Sequence, residues 1–236
     1  PGSITIPDFV IDTAAPTVSS FTTTTSSGSY NQAEEIVITA NTTESVQSGN
    51  TITVTLDTSD TVLLTAASTG TTLVGTYTVG SGDTSAGFTV NSFAIGTVAD
   101  TAGNAMTSTT RPSEGSIFGS KTIIIDTAAP TLSEQTVVST PSNDTTPSYI
   151  FTTDEAGTIS TSISQNFSTS SSVSTGSDQT ITFNTLPEGT YSGETITVTD
   201  TAGNAGSITI PDFVIDTTAP VITSGETGTN LAENSG

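Results

Sequence analysis

Two stretches of the chain read DTAGNA, at 100–105 and 200–205. A second tag recurs three times: FVIDTAAP at 9–16, IIIDTAAP at 123–130 and FVIDTTAP at 213–220. The first tag carries Asp100 and Asp200, followed by Asn104 and Asn204; the second carries Asp12, Asp126 and Asp216. The chain has no His and no Cys, so imidazole catalysis, imidazole-bound zinc or copper, and disulfides are excluded. The remaining ligand chemistry is that of oxygen. Grouped carboxylates and carbonyls suit calcium, which takes roughly six to eight oxygen ligands. Magnesium fits less well, because it demands a tight octahedron and gives up water reluctantly.

The charge balance points the same way. Lys and Arg number 2 (Arg111 and Lys121) against 23 Asp and Glu, for a net charge of −21. Nucleic acid and anionic membrane surfaces need clustered basic residues and are poor partners for such a chain. Negative charge at this density opposes the compact state by self-repulsion. A divalent cation would neutralise part of it; a solubilising or salt-adapted surface is the other reading. No apolar run approaches the length of a membrane span, so membrane insertion is not expected.

The elements that must position these aspartates are strands. Thr, Ser, Val and Ile dominate, and β-branched residues fit a pleated surface better than a helix. GSITIPDFVIDTAAP at 2–16 returns with one change at 206–220, and GSIFGSKTIIIDTAAP at 115–130 is a divergent copy. Each copy reads as a last strand followed by a linker, and the copies are spaced by about the length of one β-sandwich domain. The chain therefore divides into 1–12, the last strand of a preceding domain; 13–126, a first domain; 127–216, a second; and 217–236, a linker and the start of a truncated third. Strands are expected at 17–24, 34–40, 51–56, 61–66, 73–79, 87–95 and 117–125 in the first domain. In the second they are expected at 131–140, 148–153, 158–163, 170–174, 179–183, 194–199 and 207–215. Pro211 within the last of these argues for an edge strand. The fold class is all-β: tandem Ig-like sandwiches of about seven strands in a linear array.

In such a sandwich, successive strands alternate in direction. The DTAGN loop, between the sixth and seventh strands, then lies at the end where the chain enters the domain. Asp100 and Asn104 should approach Asp12, and Asp200 and Asn204 should approach Asp126. The loop after the second strand adds Glu44 in the first domain and Asp154 with Glu155 in the second. Glu188 and Asn143/Asp144 should face the exit linker at Asp216, which could serve a third junction. Asp57, Asp60 and Asp83 read as solvated turn residues.

At these residues the chain resembles bacterial Ig-like domains of large, type I-secreted (RTX-type) repeat adhesins. TPSNDTTPSYIFTTDEAGTI, FNTLPEGTY, ITVTDTAGN and FVIDTTAP carry the likeness in the second domain, and GSYNQAEEIVITAN and VADTAGNAM in the first. The tail VITSGETGTNLAENSG resembles the opening of a cadherin-like repeat, with Glu233 at that family's calcium-ligand position. The resemblance implies extracellular extender modules on a bacterial cell surface, with calcium at the domain junctions. It implies a spacer function in surface attachment or biofilm formation, with neighbouring Ig-like domains of the same chain as partners. The segment 106–114, long and Arg-containing, departs from the family pattern. The chain itself is read as a monomeric fragment.

Two rival functions have weaker support. Thr-rich runs such as 22–25 and TITVTL at 51–56 could bind ice, glycan or peptide. The runs are short and irregular, however, and the chain has no Trp for a sugar platform. An enzyme would need a nucleophile with a base, or a carboxylate pair. Glu34–Glu35 and Asp154–Glu155 are sequence neighbours, which in a strand point to opposite faces.

Overall fold

The computed structural model describes residues 10–113 and 118–221. Expectations for residues 1–9, for the start of a strand at 117 and for the tail with Glu233 lie outside the described residues. Among the described residues every regular element is a strand, and none is a helix. The class is all-β, consistent with β-sandwich architecture. The chain divides into two compact units, Pro1–Pro130 with Thr199–Gly206, and Thr131–Val198 with Ser207–Gly236.

The first unit contains β1 (Val18–Thr22), β2 (Gly28–Tyr30), β3 (Glu35–Val46), β4 (Thr51–Leu56), β5 (Thr61–Thr65), β6 (Gly70–Thr78), β7 (Thr84–Ser85), β8 (Val90–Thr97) and β9 (Ile123–Asp126). Six of these form one sheet in the order β1-β3-β6-β5-β4-β8, and β2-β9-β7 form a second. Burial alternates strictly along β4, where Ile52, Val54 and Leu56 point inward between threonines. That period of two lets one face meet the core and the other meet water. The core gathers Phe21, Ile36, Ile38, Ile52, Leu56, Leu64, Leu73 and Ile123, all essentially inaccessible to solvent. Phe21 and Phe93 meet edge-on, with ring centroids 5.9 Å apart.

The second unit carries, wholly or for the most part, β10 (Leu132–Thr136), β11 (Ser148–Thr153), β12 (Gly157–Thr161), β13 (Ser172–Val173), β14 (Gln179–Thr182), β15 (Gly189–Tyr191), β16 (Thr195–Thr199), β17 (Ala205–Thr209) and β18 (Phe213–Ile215). Its sheets are β10-β11-β14, β13-β12-β16-β17 and β15-β18. Tyr149, Phe151, Phe183 and Phe213 fill the core. Tyr191 stacks on Phe213 at 4.8 Å.

Several expected strands differ in detail. The strand expected at 117–125 is confined to β9, because 118–122 hold a turn closed by the Lys121 N–H on the Phe118 carbonyl at 3.1 Å. The strand expected at 131–140 ends at Thr136. The strand expected at 34–40 runs on to Val46, which carries Glu44 on the strand itself and not in a loop. The strand expected at 17–24 breaks after Thr22, because Thr23 and Thr25 hydroxyls accept the backbone N–H groups of Thr25 and Val37. Beyond the break, β2 pairs parallel with β9. The strand expected at 207–215 is two strands. Pro211 has no N–H to donate, and the chain leaves β16 there to pair β18 with β15.

Gly75 in the large sheet leaves no room for a side chain. A Cβ on Gly75, in β6, would lie 2.5 Å from the Leu63 carbonyl oxygen and 2.7 Å from Leu64 Cδ2. The carbonyl belongs to the β5 backbone and cannot swing away. Gly75→Val should therefore push β5 off β6 and cost about 1–3 kcal/mol, the usual range for overpacking. Urea denaturation followed by far-UV circular dichroism reads this as a lower midpoint; an unchanged midpoint would show that β5 has room to move.

Candidate cation-binding loops and linkers

The DTAGN loop is folded by its own aspartate. Asp100 Oδ1 accepts the Asn104 backbone N–H at 2.8 Å, and Asp100 Oδ2 accepts Asn104 Nδ2 at 2.8 Å. The Asp100 N–H donates to the Asn104 carbonyl at 3.1 Å, and Gly103 N–H to the Asp100 carbonyl at 3.3 Å. The reversal needs φ = +98° at Gly103, in the left-handed region where a side chain is disfavoured. Asn104 Nδ2 then reaches across 92 positions of sequence to the Asp12 backbone carbonyl at 3.1 Å. Gln47 Nε2 and Asn50 Oδ1 also hold the loop, through the Asp100 carbonyl (2.7 Å) and the Ala99 N–H (2.7 Å).

This geometry collects three carboxylates. Asp12, Glu44 and Asp100 each offer an oxygen, and the three oxygens lie within 4.8 Å of one another. Asp12 is exposed, Glu44 half-buried and Asp100 only 1 % exposed. Burial, then the charges of Asp12 and Asp100, push the Glu44 carboxyl above its ordinary value. Burial alone would raise Asp100 too, but hydrogen bonds from Asn104, Gly103 and Ala102 outweigh it and hold that carboxyl below the ordinary aspartate value. One carboxylate of the trio is thus stabilised as an anion, and another is strained as one. Such an acidic group could hold a metal ion.

The second DTAGN loop repeats this construction. Asp200 Oδ1 accepts the N–H groups of Ala202, Gly203 and Asn204 at 2.8, 2.7 and 2.9 Å. Asn204 Nδ2 donates to Asp200 Oδ2 at 2.9 Å and to the Asp126 backbone carbonyl at 2.9 Å. Carboxylate oxygens of Asp126 and Asp200 approach within 4.8 Å. In both loops the asparagine Nδ2 is a donor that positions the linker, which leaves the side-chain oxygen for the ligand role expected from the sequence.

Asp154 and Glu155 have different tasks. Asp154 Oδ1 accepts the Thr131 N–H at 2.6 Å, and its own N–H returns to the Thr131 carbonyl at 3.2 Å. Hydrogen bonds to the carboxyl itself, led by the one from the Thr131 backbone, hold Asp154 below its ordinary value. In the first unit Thr43 makes the same pair of contacts with Thr17, at 3.0 and 2.9 Å. Asp154 therefore corresponds to Thr43, a structural tie, and Glu155 corresponds to Glu44. The match extends one residue further back: Thr42 Oγ1 donates to the Glu44 carbonyl at 2.7 Å, and Thr153 Oγ1 to the Glu155 carbonyl at 3.0 Å.

All three linker aspartates turn their own chain. Oδ1 of Asp12, Asp126 and Asp216 accepts the N–H two residues on, from Ala14, Ala128 and Thr218. Asp216 joins no group of three carboxylates among the described residues. Asp144 spends its Oδ1 on the N–H and hydroxyl of Thr146. The residues expected to be solvated are instead tied in: Asp57 accepts Ser85 Oγ and the Thr89 N–H, Asp83 accepts the Tyr77 hydroxyl and the Gly80 N–H, and Asp60 Oδ2 lies 3.4 Å from the same hydroxyl. Gln47 and Asn50 carried no signal in the sequence, because amides in turns are common and their partners lie about fifty positions away.

No protein-family model matches this chain, and a search of curated proteins finds no relative.

Two outcomes follow from the opposed carboxyl shifts. Because the folded-state value of Asp100 lies below its unfolded value, its contribution to stability is present above the ordinary aspartate range and is lost as pH falls through the folded value. Asp100→Asn should lower the thermal midpoint at neutral pH and flatten its acid decline. Glu44 has the opposite sign: raised in the fold, it opposes folding at neutral pH and is relieved as pH falls through its raised value. Glu44→Gln in chelator should raise the midpoint at neutral pH, with the difference vanishing on acidification. Scanning calorimetry across pH reads both, and a midpoint lowered by Glu44→Gln in chelator would contradict the second.

Proposed function

We propose that the chain is a non-enzymatic extender segment of a bacterial cell-surface adhesin, built of Ig-like modules whose linkers are stiffened by calcium. The observation that carries this reading is the Asp12, Glu44 and Asp100 trio, with Asn104 tying the loop to the linker backbone. Three crowded carboxylates with a half-strained Glu44 favour a doubly charged cation over an empty cluster. A calcium ion would draw ligands from Asp12, on the incoming linker, and from Glu44 and Asp100, on the module body. At the next linker the corresponding ligands are Asp126 and Asp200, and Glu155 is the proposed third. The ion binds the docked arrangement and not the splayed one, so it stabilises docking by mass action.

Extracellular calcium modules bind at about 10⁻⁴–10⁻³ M, so stiffness would appear outside the cell and be absent in calcium-poor cytoplasm. Adhesin membership, secretion and a surface location belong to this proposal and rest on the sequence motifs. A directly ligand-binding module gains little support. The Thr22–Thr25 run spends hydroxyls internally: Thr22 Oγ1 accepts Asn41 Nδ2, and Thr25 Oγ1 accepts the Val37 N–H.

Titration calorimetry with calcium and small-angle scattering with and without chelator test the reading. Calcium should bind with an affinity in the stated range, and chelation should shorten the mean end-to-end dimension. Asp100→Asn together with Asp12→Asn should remove one binding event and leave the others. Absence of calcium binding at millimolar concentration, or a maximum dimension indifferent to chelator, would overturn it.

A further inference from the structure

We propose that Glu188 is a latch that fixes the segment leaving the second unit, and that it works without any cation. This goes beyond the calcium reading and does not depend on it. Glu188 lies in the turn LPEGTY, immediately before β15. The last pair of the β15–β18 ladder is Gly189–Ile215, so Glu188 sits opposite Asp216, where the linker begins.

Its carboxylate gathers the two residues after that aspartate. Oε2 accepts the Thr217 N–H at 3.2 Å, the Thr217 hydroxyl at 2.6 Å and the Thr218 hydroxyl at 3.0 Å; the Thr218 hydroxyl also lies 2.9 Å from Oε1. Hydrogen bonds to an ionised acceptor are roughly twice as strong as neutral ones. Those from Thr217, then Thr218, hold the Glu188 carboxyl below its ordinary value. The linker's own turn, with the Thr218 N–H on Asp216 Oδ1 at 2.9 Å, presents both hydroxyls to the same carboxylate.

The three linkers of the chain differ in a way that matches this role. Where the second unit's linker reads DTTAP, the other two read DTAAP, with Ala14 and Ala128 at the position of Thr218. In the first unit the residue opposite the linker aspartate Asp126 is Thr84, and the neighbouring Asp83 turns its carboxylate inward to Tyr77 and Gly80. There the hydroxyl after the linker aspartate, on Thr127, is caught by the Asp83 backbone carbonyl at 3.0 Å. Each unit grips the residue that follows its linker aspartate through the same turn. The second unit does so with a carboxylate, and it carries an extra threonine to meet it.

Amide hydrogen exchange by NMR, with chelator present throughout, tests the latch. In the unaltered chain the Thr217 amide should be protected in chelator. Glu188→Ala should speed its exchange by roughly tenfold or more, the scale of a lost hydrogen bond to a charged group. Thr218→Ala, which removes the second hydroxyl but leaves the Thr217 donors, should give a smaller increase. The Ile181 and Val198 amides report that the unit remains folded. Unprotected Thr217 in the unaltered chain, or exchange unchanged in both variants, would overturn the proposal. Because no calcium is present in any arm, failure of the calcium reading leaves this outcome unaffected.

Discussion

A carboxylate that accepts hydrogen bonds from its own loop is the constraint on which the candidate site depends. Asp100 and Asp200 each gather N–H groups from the residues that follow, and that closure dictates where Asn104 and Asn204 point. From that position each asparagine meets the backbone carbonyl of a linker aspartate far away in sequence. Without the glycine at positive φ the turn could not close, and the asparagine would have no fixed direction. Two loops with the same sequence adopt the same hydrogen bonds, which marks the motif as a local folding unit and not an accident of one environment.

The cost of the arrangement falls on Glu44. A carboxylate held near two others, and partly withdrawn from water, is less stable as an anion than it would be free. Asp100 escapes that cost because its hydrogen bonds more than offset its burial. The fold thus stores an electrostatic conflict at one end of the first unit while satisfying the polar groups around it. A doubly charged cation would resolve the conflict with few new contacts, which is the physical basis of the proposed stiffening. At the far end of each unit the carboxylates are handled differently. There Asp57, Asp83 and Glu188 each meet hydroxyl or amide donors, and no carboxylate trio forms among the described residues.

Much of the fold was legible in period-two patterning. The runs TITVTL and SYIFTT are strands with alternate residues buried, because a pleated chain between core and water admits little else. The misreadings share a cause. The break after Thr22 depends on a threonine hydroxyl accepting the N–H of Val37, twelve positions on. The division at Pro211 depends on β15, a strand of three residues with no sequence signal of its own. Asp154 was placed beside Glu155 by its loop, and only the register of β10 against β11 shows that its Oδ1 accepts the Thr131 N–H.

By itself, the sequence determined the all-β class, the repeated tags and the chemical limits set by an absence of His and Cys. These follow from local rules: side-chain branching, strand period, and the donor atoms each residue type possesses. Tertiary structure decided which carboxylates share a site and which are consumed in holding the chain. Asp12, Glu44 and Asp100 are distant along the chain, and their oxygens converge only because β3, the loop after β8 and the linker end at one place. Convergence of that kind is set by strand order and register, which arise from long-range pairing that no local pattern encodes.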